Sequence, residues 1–247
     1  RSLLSNQTMK TTDAFLSKLE KKGLRRSPKE SQLHYIRGKL TTYYPIDKRQ
    51  LSAEIASFKR ALELRPSHHM ARLALAGNYH QLGFYRQSVK VLEPLVISDK
   101  LEGAEQYRKD AIDLYLKNNI QSASNAYSNE NYFLVLEYML KALELNNNKL
   151  VNLDSTLWLG YAYFYSERHE QNIELLEQAL DVYGEESELC YLMALSKEGL
   201  YKLEEAITWY DKVVKIGPPE NLFVQECVKN MENLQEIIKY GREEQEL

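Results

Sequence analysis

One short phrase returns along the chain at nearly fixed distance, and it constrains the fold more than any other feature. In each copy an aliphatic residue is followed three positions later by an aromatic residue, Leu or Met. Three positions after that comes an Ala, Leu or Val, which we call the anchor of the copy. The anchors are Ala61, Leu95, Ala142, Ala179 and Val213, so successive copies are spaced by 34, 47, 37 and 34 residues. Apolar positions at helical spacing, repeated about every 34 residues, are typical of stacked helical hairpins.

Small residues recur upstream of these phrases, where two helices would have to pack closely. Ala76, Gly160 and Ala194 each follow a large apolar residue. Antiparallel helices approach closely only where such small residues leave room for a bulky side chain of the neighbouring helix. Each repeat is therefore predicted to be a pair of antiparallel helices.

The run Leu159-Gly160-x-x-Tyr163, with Pro66 and Pro218 at the ends of two repeats, resembles the tetratricopeptide repeat. This resemblance covers about residues 31–219. It implies an all-α fold, a right-handed α-solenoid of about five antiparallel helical hairpins with further helices at the N- and C-terminal ends.

The repeats depart from the family pattern at several points. The first has an extra stretch at 41–49, and Pro94 within the second predicts a kink or an early helix stop. The third is about 13 residues too long, which predicts a lengthened first helix over about 104–128. Glu54 and Asn172 stand where Ala is usual.

Three regions follow from this pattern. Residues 1–30 are predicted to be a polar segment with a short helix opened by Thr12-Asp13. Residues 31–219 form the repeat array. Residues 220–247 are a C-terminal helix, over about 220–240, that covers the last hairpin, followed by a tail.

The sequence starts at Arg1 without an initiator Met, so we expect a cut or processed chain. No signal peptide is visible, so we expect a cytoplasmic location.

Composition and motifs narrow the possible functions. The formal net charge is −3, which disfavours a nonspecific nucleic-acid binder. No apolar run is long enough to insert in a membrane. The two cysteines, Cys190 and Cys227, are predicted to be buried thiols. The sequence has no phosphate-binding Gly-rich loop, metal-ligand spacing or nucleophile motif, so we expect no catalytic residues, no metal, no cofactor and no enzymatic activity.

Tyrosine is abundant, with 18 copies, and many fall outside the positions that pack a hairpin. In the tetratricopeptide family the first helix of each hairpin lines a concave groove, and the resemblance implies which residues would do so here. The candidates for binding a partner are Tyr35, Tyr43, Tyr127, Trp158, Tyr161, Phe164, Tyr165 and Tyr191. Aromatic side chains suit such a surface because they bury a large area with few rotatable bonds. Packing of these rings against neighbouring hairpins is the alternative interpretation.

Three functions are compatible with these observations. The first is a protein–protein interaction scaffold or adaptor, within a multiprotein complex, that holds a peptide segment of a partner protein in the groove. The second is a regulatory or sensor domain of a larger effector protein. The third, RNA binding by a helical repeat, is disfavoured by the net charge and by the apolar groove positions.

Overall fold

The computed structural model describes residues 2–21, 28–41, 51–97 and 103–243, and these form twelve α-helices and no β-strand. The helices are α1 (Ser2–Lys21), α2 (Pro28–Thr41), α3 (Leu51–Leu64), α4 (His69–Gln81), α5 (Tyr85–Ile97), α6 (Glu105–Ser128), α7 (Tyr132–Leu145), α8 (Leu153–Tyr165), α9 (His169–Tyr183), α10 (Ser187–Gly199), α11 (Leu203–Ile216) and α12 (Leu222–Glu243). From α2 to α11 they form five hairpins. The predicted all-α fold of five helical hairpins with a helix at each end is confirmed.

The turn between the two helices has the same form in four of the hairpins. Gly83, Glu130, Glu167 and Tyr201 occupy it with φ angles of 75°, 54°, 57° and 58°. The next residue in each turn donates its N–H to a carbonyl five positions earlier, in the pairs Phe84–Tyr79, Asn131–Ala126, Arg168–Tyr163 and Lys202–Lys197. This left-handed reversal satisfies carbonyls at the end of the first helix and sends the chain back antiparallel.

The chain divides into two compact units, residues 1–121 (unit 1) and 122–247 (unit 2), with the boundary inside α6. The core of unit 1 includes Phe58, Ala61 and Leu75. A Cβ at Gly38 would lie 2.5 Å from Phe58 Cε1, so α2 and α3 pack this closely only because residue 38 has no side chain.

Unit 2 contains three buried clusters that share residues along successive helices. Leu159 and Met139 belong to the first, Leu176 and Leu192 to the second, and Tyr210 and Cys227 to the third. A Cβ at Gly160 would lie 2.9 Å from Leu192 Cδ1, which confirms the predicted close approach at this small residue.

Polar side chains link consecutive hairpins at a repeated position. The fourth residue of the second helix is Glu54, Ser88 or Asn172 in three hairpins, and each bonds to the first helix of the next hairpin. The bonds run from Asn78 Nδ2 to Glu54 Oε2 (2.8 Å), from Asn118 Nδ2 to Ser88 Oγ (2.7 Å) and from Asn172 Nδ2 to Ser196 Oγ (2.9 Å). The residues that depart from Ala in the family pattern therefore form buried hydrogen bonds between hairpins.

Two expectations about helix ends are corrected. The polar start of the chain is helical from Ser2, and α1 docks by burying Leu16 and pairing Asp13 with Arg37 at 2.8 Å. The early stop at Pro94 is wrong, because α5 continues to Ile97. Leu95 and Val96 are buried while Pro94 faces solvent, so packing holds the last turn despite the missing N–H.

The bounds predicted for two other helices agree with the structure to within one to three residues. The long helix predicted over 104–128 is confirmed as α6, and the C-terminal helix runs from Leu222 to Glu243. Val224, Cys227 and Leu234 of α12 are buried, and α12 packs on α11. Most of the extra stretch at 41–49 lies outside the described residues.

Candidate functional site

The first helices of successive hairpins in unit 2 place their aromatic residues next to one another. Tyr127 comes from α6, Trp158, Tyr161 and Tyr165 from α8, and Tyr191 from α10. We call these five residues the aromatic face. With Phe164, also on α8, six of the eight predicted partner-binding residues thus fall within one unit, on three successive first helices.

Tyr127 is at the centre of the contacts at one end of this face. Its ring centroid lies 6.1 Å from that of Trp158, in a stacked arrangement, and 5.9 Å from that of Tyr161. All three rings are partly exposed. Aromatic pairs at this separation attract one another, so the rings hold each other in place while keeping part of their surface open to solvent.

Tyr165 is the most exposed member of the aromatic face, with 57% of its surface accessible. Its ring stacks on Tyr132 of α7, with centroids 4.3 Å apart and planes at 17°. Tyr132 is not among the predicted partner-binding residues. Its position as the first residue of α7, just after the turn, brings it beside the end of α8, and this proximity is visible only in the folded chain.

Tyr191 extends the aromatic face toward the C-terminal helix. It contacts Phe223 of α12 edge-on, with centroids 4.4 Å apart, and lies 6.0 Å from Tyr210. Phe223 was missed by the sequence analysis. The sequence does carry a signal for Phe223. Helix α12 follows α11 in the place where the first helix of a further hairpin would stand, so its early residues line the same face as those of α10.

The hydroxyl groups of Tyr127, Tyr161 and Tyr191 remain protonated well above neutral pH. Burial raises the pKa of Tyr161, and the carboxylate of Glu188 raises it further. Burial, with a smaller effect of Glu226, raises the pKa of Tyr191 to about 12. Burial and Glu188 also raise the pKa of Tyr127. These three hydroxyl groups can therefore donate hydrogen bonds, on a face bordered by carboxylates.

A cavity of about 550 Å³, which we call the end cavity, opens where the C-terminal halves of α8, α10 and α12 meet. It is lined by Phe164, Tyr165, Glu167, His169, Leu195, Glu198, Gly199, Tyr201, Leu203, Leu234 and Ile237. Glu198 is held in place because its Oε2 accepts a hydrogen bond from the hydroxyl of the buried Tyr210 at 2.8 Å. The end cavity and the aromatic face share Tyr165, so they form one continuous surface.

The other three predicted partner-binding residues do not belong to the aromatic face. Phe164 contacts Tyr165 and lines the end cavity. Tyr35 lies in unit 1 and is only 9% exposed, because its ring packs 5.9 Å from Phe58 and 5.0 Å from His68. It is a core residue and offers little surface to a partner. Tyr43 lies outside the described residues.

Nothing in the described residues assembles a metal centre, since no three His, Cys, Asp or Glu side chains converge there as ligands. Cys190 and Cys227 are free thiols whose pKa values are raised by burial to about 11. Among the described helices, none has both the length and the apolar character needed to cross a bilayer.

Comparison with known proteins gives structural likeness without sequence likeness. No protein-family model matches the chain, and no curated protein has a significantly similar sequence. YrrB, described as a TPR protein with an unusual peptide-binding site, is similar with a TM-score of 0.46 and 15% identity, over 88% of this chain and 99% of that one.

Two bacterial structures are similar in the same way. A tetratricopeptide repeat protein from Parabacteroides merdae has a TM-score of 0.38 and 14% identity, over 92% of this chain and 99% of that one. A TPR protein of Thermus thermophilus has a TM-score of 0.35 and 16% identity, over 81% of this chain and 98% of that one. These likenesses concern the fold alone; the repeated hairpins and their common turn are seen in the chain itself.

The fold is tetratricopeptide-repeat-like. Within this TPR-like fold the chain is divergent, because buried hydrogen-bonding residues replace Ala at two of its repeat positions and α6 is longer than the repeat requires.

Proposed function

We propose that the chain is a non-enzymatic protein–protein interaction module, a scaffold or adaptor, whose aromatic face binds an extended peptide segment of a partner protein. The observation that carries this proposal is the incomplete burial of the aromatic face. Rings that fill the core of this protein are closed off from water, as Tyr210 is at 0% exposure, whereas Tyr165 is 57% exposed.

The arrangement of the face favours an extended segment over a small molecule. Its rings come from three successive first helices, and the end cavity continues it toward α12. Peptides bound to repeat surfaces contact several helices in turn, with apolar or aromatic anchors in the centre and hydrogen bonds around them. The protonated tyrosine hydroxyls supply donors for main-chain carbonyls of such a segment.

The test is selection of 12-residue peptides from a random display library against the full chain, followed by fluorescence-anisotropy titration of synthetic copies. Replacing Tyr161 and Tyr165 by Ala should weaken binding by roughly 30-fold or more, because even one aromatic hot spot contributes about 2 kcal/mol or more. Circular dichroism should show unchanged helix content.

Phe133→Ala is the matched control. Phe133 lies on α7 and is 75% exposed, so it is an aromatic ring on the surface but outside the aromatic face. Its removal should leave the affinity unchanged, as should Lys90→Ala and Glu174→Ala on second helices. A library that yields no binder, or peptides that depend on Phe133 and tolerate the Tyr161/Tyr165 double substitution, would rule out this function.

A further inference from the structure

The end cavity combines aromatic walls with carboxylates. Phe164, Tyr165 and Tyr201 supply rings, and Glu167 and Glu198 supply negative charge. Its described lining contains no lysine or arginine that could neutralise those carboxylates. A surface of this kind favours a cation with an apolar stem, because the stem packs on the rings while the charged end reaches a carboxylate.

Carboxylates also border the aromatic face away from the cavity. Glu188 in the first turn of α10 is close enough to raise the pKa of Tyr127 and Tyr161, and Glu226 of α12 raises that of Tyr191. Both glutamates are exposed, and neither forms an ion pair with another residue in the described part of the chain. The negative charge is therefore spread along the whole surface that the proposed partner segment would cover.

Two lysines, on α10 and α11, are already engaged. Lys197 Nζ lies 2.7 Å from Glu205 Oε2, on α11. Lys212 Nζ lies 2.6 Å from Glu185 Oε1 and 3.9 Å from the centroid of the Trp209 ring. The Lys212 site shows within this protein how a cation is held between an aromatic ring and a carboxylate.

Arginine fits the end cavity better than lysine does. A guanidinium stacks flat on aromatic rings, carries several donors for carboxylate oxygens and is less strongly hydrated than an ammonium group. A volume of about 550 Å³ accommodates one such side chain together with adjoining main chain, within the usual range for binding pockets.

From this complementarity we infer that the partner segment is basic. One arginine of the segment enters the end cavity between Glu198 and Glu167, and further basic side chains cross the aromatic face beside Glu188 and Glu226. This inference rests on the proposed function, because it specifies the chemistry of the peptide that the aromatic face binds.

The first measurement is the composition of the peptides selected from the display library. They should be enriched in arginine, with lysine second, and their affinities should fall as salt concentration rises, since charge pairing at a partly exposed surface is screened. In synthetic copies, each arginine is then replaced by citrulline, which keeps the shape of the side chain and removes its charge. At one position this change should weaken binding about 10-fold or more.

The second measurement locates that arginine on the protein. Glu198→Gln keeps an acceptor for the Tyr210 hydroxyl, and Glu167→Gln alters an exposed turn residue, so both variants should fold normally. The pair of substitutions should weaken the arginine peptide about as much as citrulline does, and citrulline should have little further effect in this background. Glu174→Gln removes the same charge from the exposed side of α9 and should change nothing.

The possible failures are distinguishable. If the selected peptides require Tyr161 and Tyr165 but lack basic residues, or tolerate citrulline at every position, the basic segment is wrong and the proposed function stands. If citrulline weakens binding equally in the wild type and in the Glu167/Glu198 variant, the end cavity does not hold the arginine. Peptides that bind independently of the aromatic face would overturn both proposals.

Discussion

Asn172 on α9 donates a hydrogen bond from Nδ2 to Ser196 Oγ on α10 at 2.9 Å, and both residues are completely buried. The bond joins the second helix of one hairpin to the first helix of the next. Asn172 Oδ1 has no hydrogen-bond partner among the described residues, so the amide is satisfied through its donor side alone.

This relationship predicts unequal effects when either partner is removed. Ser196→Ala leaves the buried Asn172 amide without its acceptor and should lower the free energy of unfolding by about 1–3 kcal/mol. The double variant Asn172→Ala/Ser196→Ala should be more stable than Ser196→Ala alone, because no polar group is then left unpaired. Urea denaturation of the wild type, both single variants and the double variant measures the coupling; additive losses would show that the bond contributes nothing of its own.

Replacement by Leu should affect stability differently at two glycines on first helices, Gly160 and Gly77. At Gly160 a Cβ would meet Leu192 at 2.9 Å and Asn172 Oδ1 at 3.3 Å, so Gly160→Leu should overpack the site and cost about 1–3 kcal/mol. At Gly77 nothing lies within 4 Å of the added Cβ, and Gly77→Leu should leave stability unchanged or raise it through helix propensity. Thermal unfolding of both variants tests this, and equal melting temperatures would contradict the packing at Gly160.

Stability should fall in mild acid because of His68. Its Nδ1 accepts a hydrogen bond from the N–H of Ala71 at the start of α4, and its Nε2 lies 3.0 Å from Gln32 Oε1. Burial, with a smaller effect of Arg65 and His69, lowers the pKa of His68 below its ordinary value of 6.5. The unfolded chain therefore takes up a proton first, and stability is lost as pH falls below about 6.5.

The matching variant is His68→Asn, which can cap α4 without titrating in this range. Its free energy of unfolding, measured by urea denaturation between pH 7.5 and 5, should depend less on pH than that of the wild type. Identical pH dependence in the two proteins would exclude His68 as the source.

Removal of residues 220–247 should destabilise unit 2. α12 covers Tyr210, Cys190 and Ala194 through its own Cys227 and Leu234, and uncovering one large apolar side chain costs about 1.5–3 kcal/mol. We expect aggregation or loss of the last hairpin, seen by size-exclusion chromatography and circular dichroism. Removal of 244–247 alone is the control. A shortened chain that stays monomeric and equally stable would mean that α12 docks without supporting α11.

The sequence predicts features that depend on neighbours within one hairpin. The repeat spacing locates the paired helices, the surplus residues of the third repeat locate the long α6, and the small residue at 160 locates a close crossing. All three follow from local periodicity and size, which are written in consecutive residues.

Features set by distant segments were not predictable in this way. Tyr35 occupies a groove position by its spacing, yet it is buried, because Phe58 approaches over Gly38 and His68 closes the other side. Phe223 joins Tyr191 only because α12 lies alongside α10. Helix α1 starts at Ser2 although its first residues show no apolar pattern of their own.

The position of the indole side chains has a practical consequence. The chain has two tryptophans, Trp158 in the aromatic face and Trp209 under Lys212, and both belong to unit 2. Emission excited at the red edge of the absorption band therefore reports on residues 122–247 alone, whereas far-ultraviolet circular dichroism averages over every helix. Recording both signals during one melt reveals whether the two halves of the chain lose structure together, with no label attached.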